Sequence, residues 1–169
     1  QPEVSQGTLQ SLYEYQTVIC ELSGMEAANA SLYDGASSLT EACIIAVNKT
    51  NKTKILISET IYENYIDVVS TMQDDTNLQI EIIPMVDGIT DFKKIKYIDN
   101  IAALIVQSPN KYGLLEDWKL ASNYKNKYNF LLIAISNPLM LTLIEPPGSC
   151  GADIYVGEGQ VFGNSMNYG

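Results

Sequence analysis

The chain has 169 residues, 46% of them apolar and only 18% charged, enough for one domain with a sizeable core and too apolar for a disordered role. Twenty acidic groups face ten basic ones, and a net charge of −10 argues against nucleic acid as a partner, because phosphate backbones repel such a surface. No apolar run approaches the roughly 18 residues a membrane span requires.

Ser5 opens the first predicted helix, in which Leu9, Leu12, Tyr13, Ile19 and Cys20 recur at helical spacing and Gly24 supplies a C-terminal cap. The polar stretch Asn29-Ala-Ser-Leu-Tyr-Asp-Gly-Ala-Ser leads into a second helix. There Ser38 and Glu41 read as a capping box ahead of Leu39, Ala42, Cys43 and Ala46. Lys54 to Ser58 is a short strand, and Ile61 to Met72 a helix with Tyr62, Tyr65, Ile66 and Val69 on one face. Gln79 to Ile83 is a strand ended by Pro84, and Ala102 to Val106 a wholly apolar strand suited to the interior of a parallel sheet. Leu115 to Asn126 is a helix whose opening acids, Glu116 and Asp117, suit its positive end. Phe130 to Ile135 and Ala152 to Val156 complete the strands.

Strands alternating with helices predict a three-layer α/β architecture with a mainly parallel sheet. No internal repeat or linker divides residues 1–169, so a single domain is expected. Gly157, Gly159, Gly163 and Gly169 follow the last strand closely, which reads as an unfinished structure, a piece of a larger domain. Surfaces covered by the rest of that domain would then be apolar and exposed here.

All ten basic residues are lysines, and there is no histidine. The chain therefore cannot supply a Ser-His-Asp or Cys-His arrangement, a typical zinc site, or the bidentate arginine clamp on a carboxylate. No catalytic or metal-ligating set is expected from it alone. Cys20, Cys43 and Cys150 lie far apart; the odd count and wide spacing favour a reducing, cytoplasmic compartment. The sequons at Asn29, Asn48 and Asn51 arise by chance in a chain rich in Asn and Thr, and no signal peptide is visible at Gln1.

Three stretches qualify as candidate sites. Gly157-Glu-Gly-Gln-Val-Phe-Gly follows a strand as a dinucleotide-binding turn does, but only six residues remain for the helix that fingerprint needs, so a tight turn is the simpler reading. Tyr33-Asp34-Gly35-Ala36-Ser37-Ser38 stands at a helix start, where backbone N–H groups and two hydroxyls make an anion site available; capping alone would also explain it. Ser108-Pro-Asn-Lys-Tyr-Gly follows an apolar strand at the sheet edge where α/β folds build their crevices, although an ordinary turn fits equally. The acid pairs Asp74-Asp75 and Glu116-Asp117 are read as solvated, as are Lys93, Lys94 and Lys96. Trp118 is read as core.

Several motifs then carry a resemblance. Gln1-Pro-Glu-Val-Ser-Gln-Gly-Thr-Leu-Gln, Tyr15-Gln-Thr-Val-Ile-Cys-Glu-Leu-Ser-Gly-Met, Asn29-Ala-Ser-Leu-Tyr-Asp-Gly-Ala, Gln107-Ser-Pro-Asn-Lys-Tyr-Gly-Leu-Leu-Glu-Asp, Glu145-Pro-Pro-Gly and Gly151-Ala-Asp-Ile-Tyr-Val-Gly-Glu-Gly-Gln stand in family order along nearly the whole chain. Together they resemble the glycine decarboxylase family, the P-proteins of the glycine cleavage system, and within it subunit 1 of the two-subunit form. The resemblance implies part of the large domain of fold type I PLP-dependent transferases. It also implies an enzyme that decarboxylates glycine and hands the aminomethyl group to the lipoyl arm of the H-protein, with PLP as electron sink.

In the family's second subunit a His-Lys-Thr motif follows the last strand. Here Gly157-Glu-Gly-Gln-Val-Phe-Gly stands there, no lysine occurs after Lys127, and Phe130 to Ser136 holds no Asp for the pyridinium nitrogen. The resemblance thus implies no cofactor in this chain and PLP in the partner subunit. Tyr33, Asp34, Gly35, Ser37, Asn110 and Gln160 are then candidates for a vestigial or interface cleft. One departure stands out: Tyr62-Glu-Asn-Tyr-Ile replaces the family's His-Pro-Glu-Tyr-Arg after the first strand, which leaves that loop's contribution open. A stand-alone ligand-binding α/β module without chemistry is the alternative.

Overall fold

A computed structural model describes residues 2–71, 78–95 and 99–166. Two helices, α1 (Pro2–Ser23) and α2 (Gly35–Thr50), precede β1 (Lys54–Ser58), α3 (Glu63–Thr71) and β2 (Gln79–Ile83). A small hairpin, β3 (Met85–Val86) and β4 (Ile89–Thr90), then leads to β5 (Ile101–Gln107), α4 (Trp118–Tyr128), β6 (Leu131–Ile135) and β7 (Ile154–Val156). Five strands form one sheet in the order β2-β1-β5-β6-β7, and every neighbouring pair is parallel.

Alternation along the buried strands sorts side chains into two cores. Ile55, Ile57, Ile105, Ile133 and Ile135 join Leu39, Cys43 and Ala46 of α2 and Tyr65 and Val69 of α3 on one face. Leu56, Leu104, Val106, Leu132 and Ala134 join Phe92, Trp118 and Ala121 on the other. The three-layer, mainly parallel α/β architecture expected from the sequence is therefore present, with the four segments Lys54–Ser58, 102–106, 130–135 and 152–156 in one sheet. A register irregularity marks its centre. Lys54 pairs with Ile101 but Ile55 pairs with Ala103, so Ala102 is an extra residue in β5.

Local readings need correction, chiefly at helix starts. The second helix starts at Gly35, not at a Ser38–Glu41 box: Asp34, extended at φ −152°, accepts the Ser37 N–H on its side chain. Ser38 lies one turn inside, and its hydroxyl donates back to the Asp34 carbonyl. The fourth helix starts at Trp118 rather than Leu115, because Asp117 is its cap and accepts the Leu120 N–H. Glu116 is consequently not in a solvated first turn; it is buried. A hairpin after Pro84 was not read from the sequence, although it turns at Asp87-Gly88, both at positive φ as a two-residue β-turn of the primed kind requires.

Of the apolar stripe expected on the first helix, Leu9, Leu12 and Tyr13 are exposed, whereas Ile19 and Cys20 are half-buried. The second half of the helix is partly seated, with Tyr15 and Gln16 half-buried as well. Gly24 adopts φ +70° and caps on the Cys20 carbonyl, and the Gly148 N–H bonds the Ser23 carbonyl at 2.9 Å. A side chain at Gly148 would collide with the Gly24 backbone, which explains the glycine after Glu145-Pro-Pro. Cys43 is buried, where burial pushes its thiol up to about 12, while Cys20 is half-buried. Lys93 and Lys94 are exposed; Lys96, Met72, Asp74 and Asp75 fall outside the described residues. No described helix is long and apolar enough to cross a membrane.

Candidate functional site

In a parallel sheet the helices run back against the strands, so the start of α2 and the loops after β1, β5 and β7 share the carboxyl edge. The sequence candidates all lie there, in two separate groups.

The first group surrounds the start of α2. Asp34 is spent on the cap. Gly35 is buried, and its N–H donates at 3.2 Å to Oε1 of Glu158, a residue 123 positions away in the loop after β7. The same oxygen accepts the Tyr65 hydroxyl from α3 at 2.8 Å. A side chain at position 35 would strike the Tyr65 hydroxyl and the Glu158 carboxylate, so the glycine is what lets them close over the helix end. Burial, reinforced by the hydrogen bond to Glu158 and by the negative charge of Glu158 and Asp34, raises the Tyr65 phenol above its ordinary range. Tyr65 therefore remains a donor. Ser37 is half-buried and Tyr33 is 73% exposed, at the rim of this group. Gln160 is exposed two residues beyond Glu158, and its side chain bonds the Asn164 carbonyl at 2.6 Å.

Asn110 belongs to the second group. Its Nδ2 donates to the Gly88 carbonyl at 2.8 Å and to Glu116 Oε1 at 3.0 Å, and its Oδ1 accepts from the Tyr112 and Leu114 amides. Glu116, 6% exposed, also accepts from the Thr60 hydroxyl at 2.8 Å and from the Thr90 N–H. Ser58 bridges Thr60 and Thr90 beneath it. This network ties the loop after β1, the hairpin and the β5–α4 loop together. With its amide fully engaged, Asn110 acts as a brace for that edge. No described hydrogen bond joins it to Asp34, Glu158 or Gln160.

Glu158 and Tyr65 were not singled out as site residues from the sequence, and Glu116 was read only as a solvated acid opening a helix. Glu158 had one local signal, an acid between two glycines directly after a strand. For Glu116 the signal was an acid following Leu114-Leu115, an apolar context unlike a solvated turn. Among the described residues no group of three or more Cys, Asp and Glu side chains is placed to hold a metal ion. The arrangement as a whole can bind and position, with hydroxyl and backbone donors facing one carboxylate.

The whole length, residues 1–169, matches the family model for the glycine cleavage system P-protein. The chain belongs to this family. It is 44% identical over 169 residues to a probable glycine dehydrogenase (decarboxylating) subunit 1 of Coprothermobacter proteolyticus, covering all of this chain and 39% of that protein. This P-protein family member thus spans about two fifths of the curated relative's length. A crystal structure of glycine decarboxylase (P-protein) of the glycine cleavage system, in inhibitor-bound form, superposes with a TM-score of 0.93 at 38% identity, over all of this chain and 38% of that one. A putative O-acetylhomoserine (thiol)-lyase from Campylobacter jejuni, 15% identical, shares the fold over 85% of this chain and 34% of its own, with a TM-score of 0.64. The sheet is that of fold type I PLP-dependent enzymes.

Proposed function

We propose that this chain is the portion of a glycine dehydrogenase (decarboxylating) subunit that shapes the active site without holding PLP itself. The observation that carries the reading is its similarity, over its entire length, to a protein named subunit 1 of that enzyme. The complete enzyme would decarboxylate glycine in the cytoplasm and pass the aminomethyl group to the lipoyl arm of the H-protein. A second subunit would contribute PLP.

The residues present do not suit a covalently held PLP. From Tyr128 to Gly169 there is no lysine to form a Schiff base, and β6 carries no acid among Leu131–Ile135. At the start of α2, a position physically suited to a phosphate, the Gly35 N–H and the Tyr65 hydroxyl already serve Glu158. No catalytic step is therefore assigned to PLP on this chain. Its contribution would be surface and shape: the rim of Tyr33, Asp34 and Gln160 offered to the partner.

The test uses the full-length subunit expressed with its second subunit. Copurification, exchange of the glycine carboxyl with CO2 by the pair, and a borohydride-trapped pyridoxyl-lysine on the second subunit alone are expected. A pyridoxyl-lysine on this chain would refute the assignment of PLP to the partner, and a pair inactive in exchange would refute the enzyme.

A further inference from the structure

The carboxylate over the start of α2 has a consequence for ligand binding. A 16-residue helix presents unpaired N–H groups and a partial positive charge at its first turn, and a buried glycine there leaves room for an anion to approach. Glu158 occupies that room. Its Oε1 takes the Gly35 N–H and the Tyr65 hydroxyl together, two donors converging on one oxygen as they would on a phosphate oxygen. Asp34 stands close enough to push the Tyr65 phenol in the same direction, and its side chain holds the Ser37 N–H. Two N–H groups of the first turn, those of Gly35 and Ser37, are thereby taken by the chain's own acids, Glu158 and Asp34.

We propose that Glu158 is an internal anion that keeps phosphate esters off the start of α2 while fastening the loop after β7 to that helix. The proposal rests on the reading that this chain holds no PLP. It adds that exclusion works by occupation and not only by the missing lysine. Removing the carboxylate would leave the Gly35 N–H and Tyr65 O–H as a matched pair of donors for an external anion.

The experiment titrates inorganic phosphate into the full-length protein by calorimetry at low ionic strength. Glu158→Ala is expected to bind phosphate at least ten-fold more tightly than the parent. Glu158→Gln, which keeps both hydrogen bonds and so secures folding, should fall between them. Adding Tyr65→Phe to Glu158→Ala should remove most of the gain, because one of the two donors is then gone. Glu41→Ala, an exposed acid elsewhere on α2, controls for net charge. Unchanged affinity in both Glu158 variants, or an equal gain in Glu41→Ala, overturns the proposal. Borohydride trapping on the parent protein reads the PLP assignment separately, so the two can fail independently.

Discussion

Two carboxylates at the same sheet edge do opposite jobs. Glu116 is buried and surrounded by donors from three segments, so it fixes the chain's own architecture. Glu158 belongs to an exposed residue in a loop, and its oxygen closes a helix end that would otherwise face outward. The contrast teaches that hydrogen bonding alone does not mark a functional group. What separates them is what removal exposes: buried donors, the Thr90 N–H among them, in one case, and donors open to solvent or ligand in the other.

The largest effect is expected from Glu116→Ala, which strands the Thr90 N–H, the Thr60 hydroxyl and the Asn110 amide. A loss of about 3 kcal/mol should appear in urea unfolding. Glu158→Ala should cost less than about 1 kcal/mol by the same measurement, since its donors can turn to water. Equal costs would break the contrast. Gly35→Ala comes next, at about 2 kcal/mol, because a methyl group must displace the Tyr65 hydroxyl and Glu158 carboxylate. A neutral Gly35→Ala would mean that the clasp over α2 is loose.

Alkaline titration sharpens the same contrast. Burial, first, and then the Glu158 bond raise the Tyr65 phenol, so the folded state keeps a proton that the unfolded chain releases. That contribution is whole below about pH 10, the phenol's ordinary value, and is lost as pH rises further, by at most about 1.4 kcal/mol per pH unit. Tyr65→Phe should flatten this slope between pH 10 and 11, and an unchanged slope would count against the burial of that hydroxyl. The smallest stability effect is expected at Tyr33, 73% exposed. Tyr33→Ala should change unfolding by less than about 0.5 kcal/mol yet lower glycine–CO2 exchange in the assembled enzyme. Normal exchange would remove Tyr33 from the partner-facing rim.

Elements set by local pattern were legible in the sequence. The runs around Ile55–Ile57, Leu104–Val106 and Leu132–Ala134 could only be buried strands, and Gly24 ended its helix as its conformation requires. Helix starts were less legible, because Asp34 and Ser38 both cap well and only tertiary placement decides between them. The site was least legible. Glu158 meets Gly35 across 123 residues and Glu116 meets Thr60 across 56, and no spacing rule encodes such pairs. The brace formed by Asn110 was not legible, since its turn position says nothing of the hairpin that occupies its amide.

The extra residue at Ala102 bears on how this sheet tolerates changes in chain length. Strand β5 feeds side chains to two cores at once, so losing one residue anywhere from Ala103 to Gln107 sends the remainder to the wrong faces. At Ala102 the parity is already broken: Ile101 points to one core while Ala102 and Ala103 both belong to the other. A single deletion there restores even pairing with β1 and leaves every later side chain on its own side. In a lineage of such chains, this is the position in the central strand where an insertion or deletion can be absorbed without rewriting the interior.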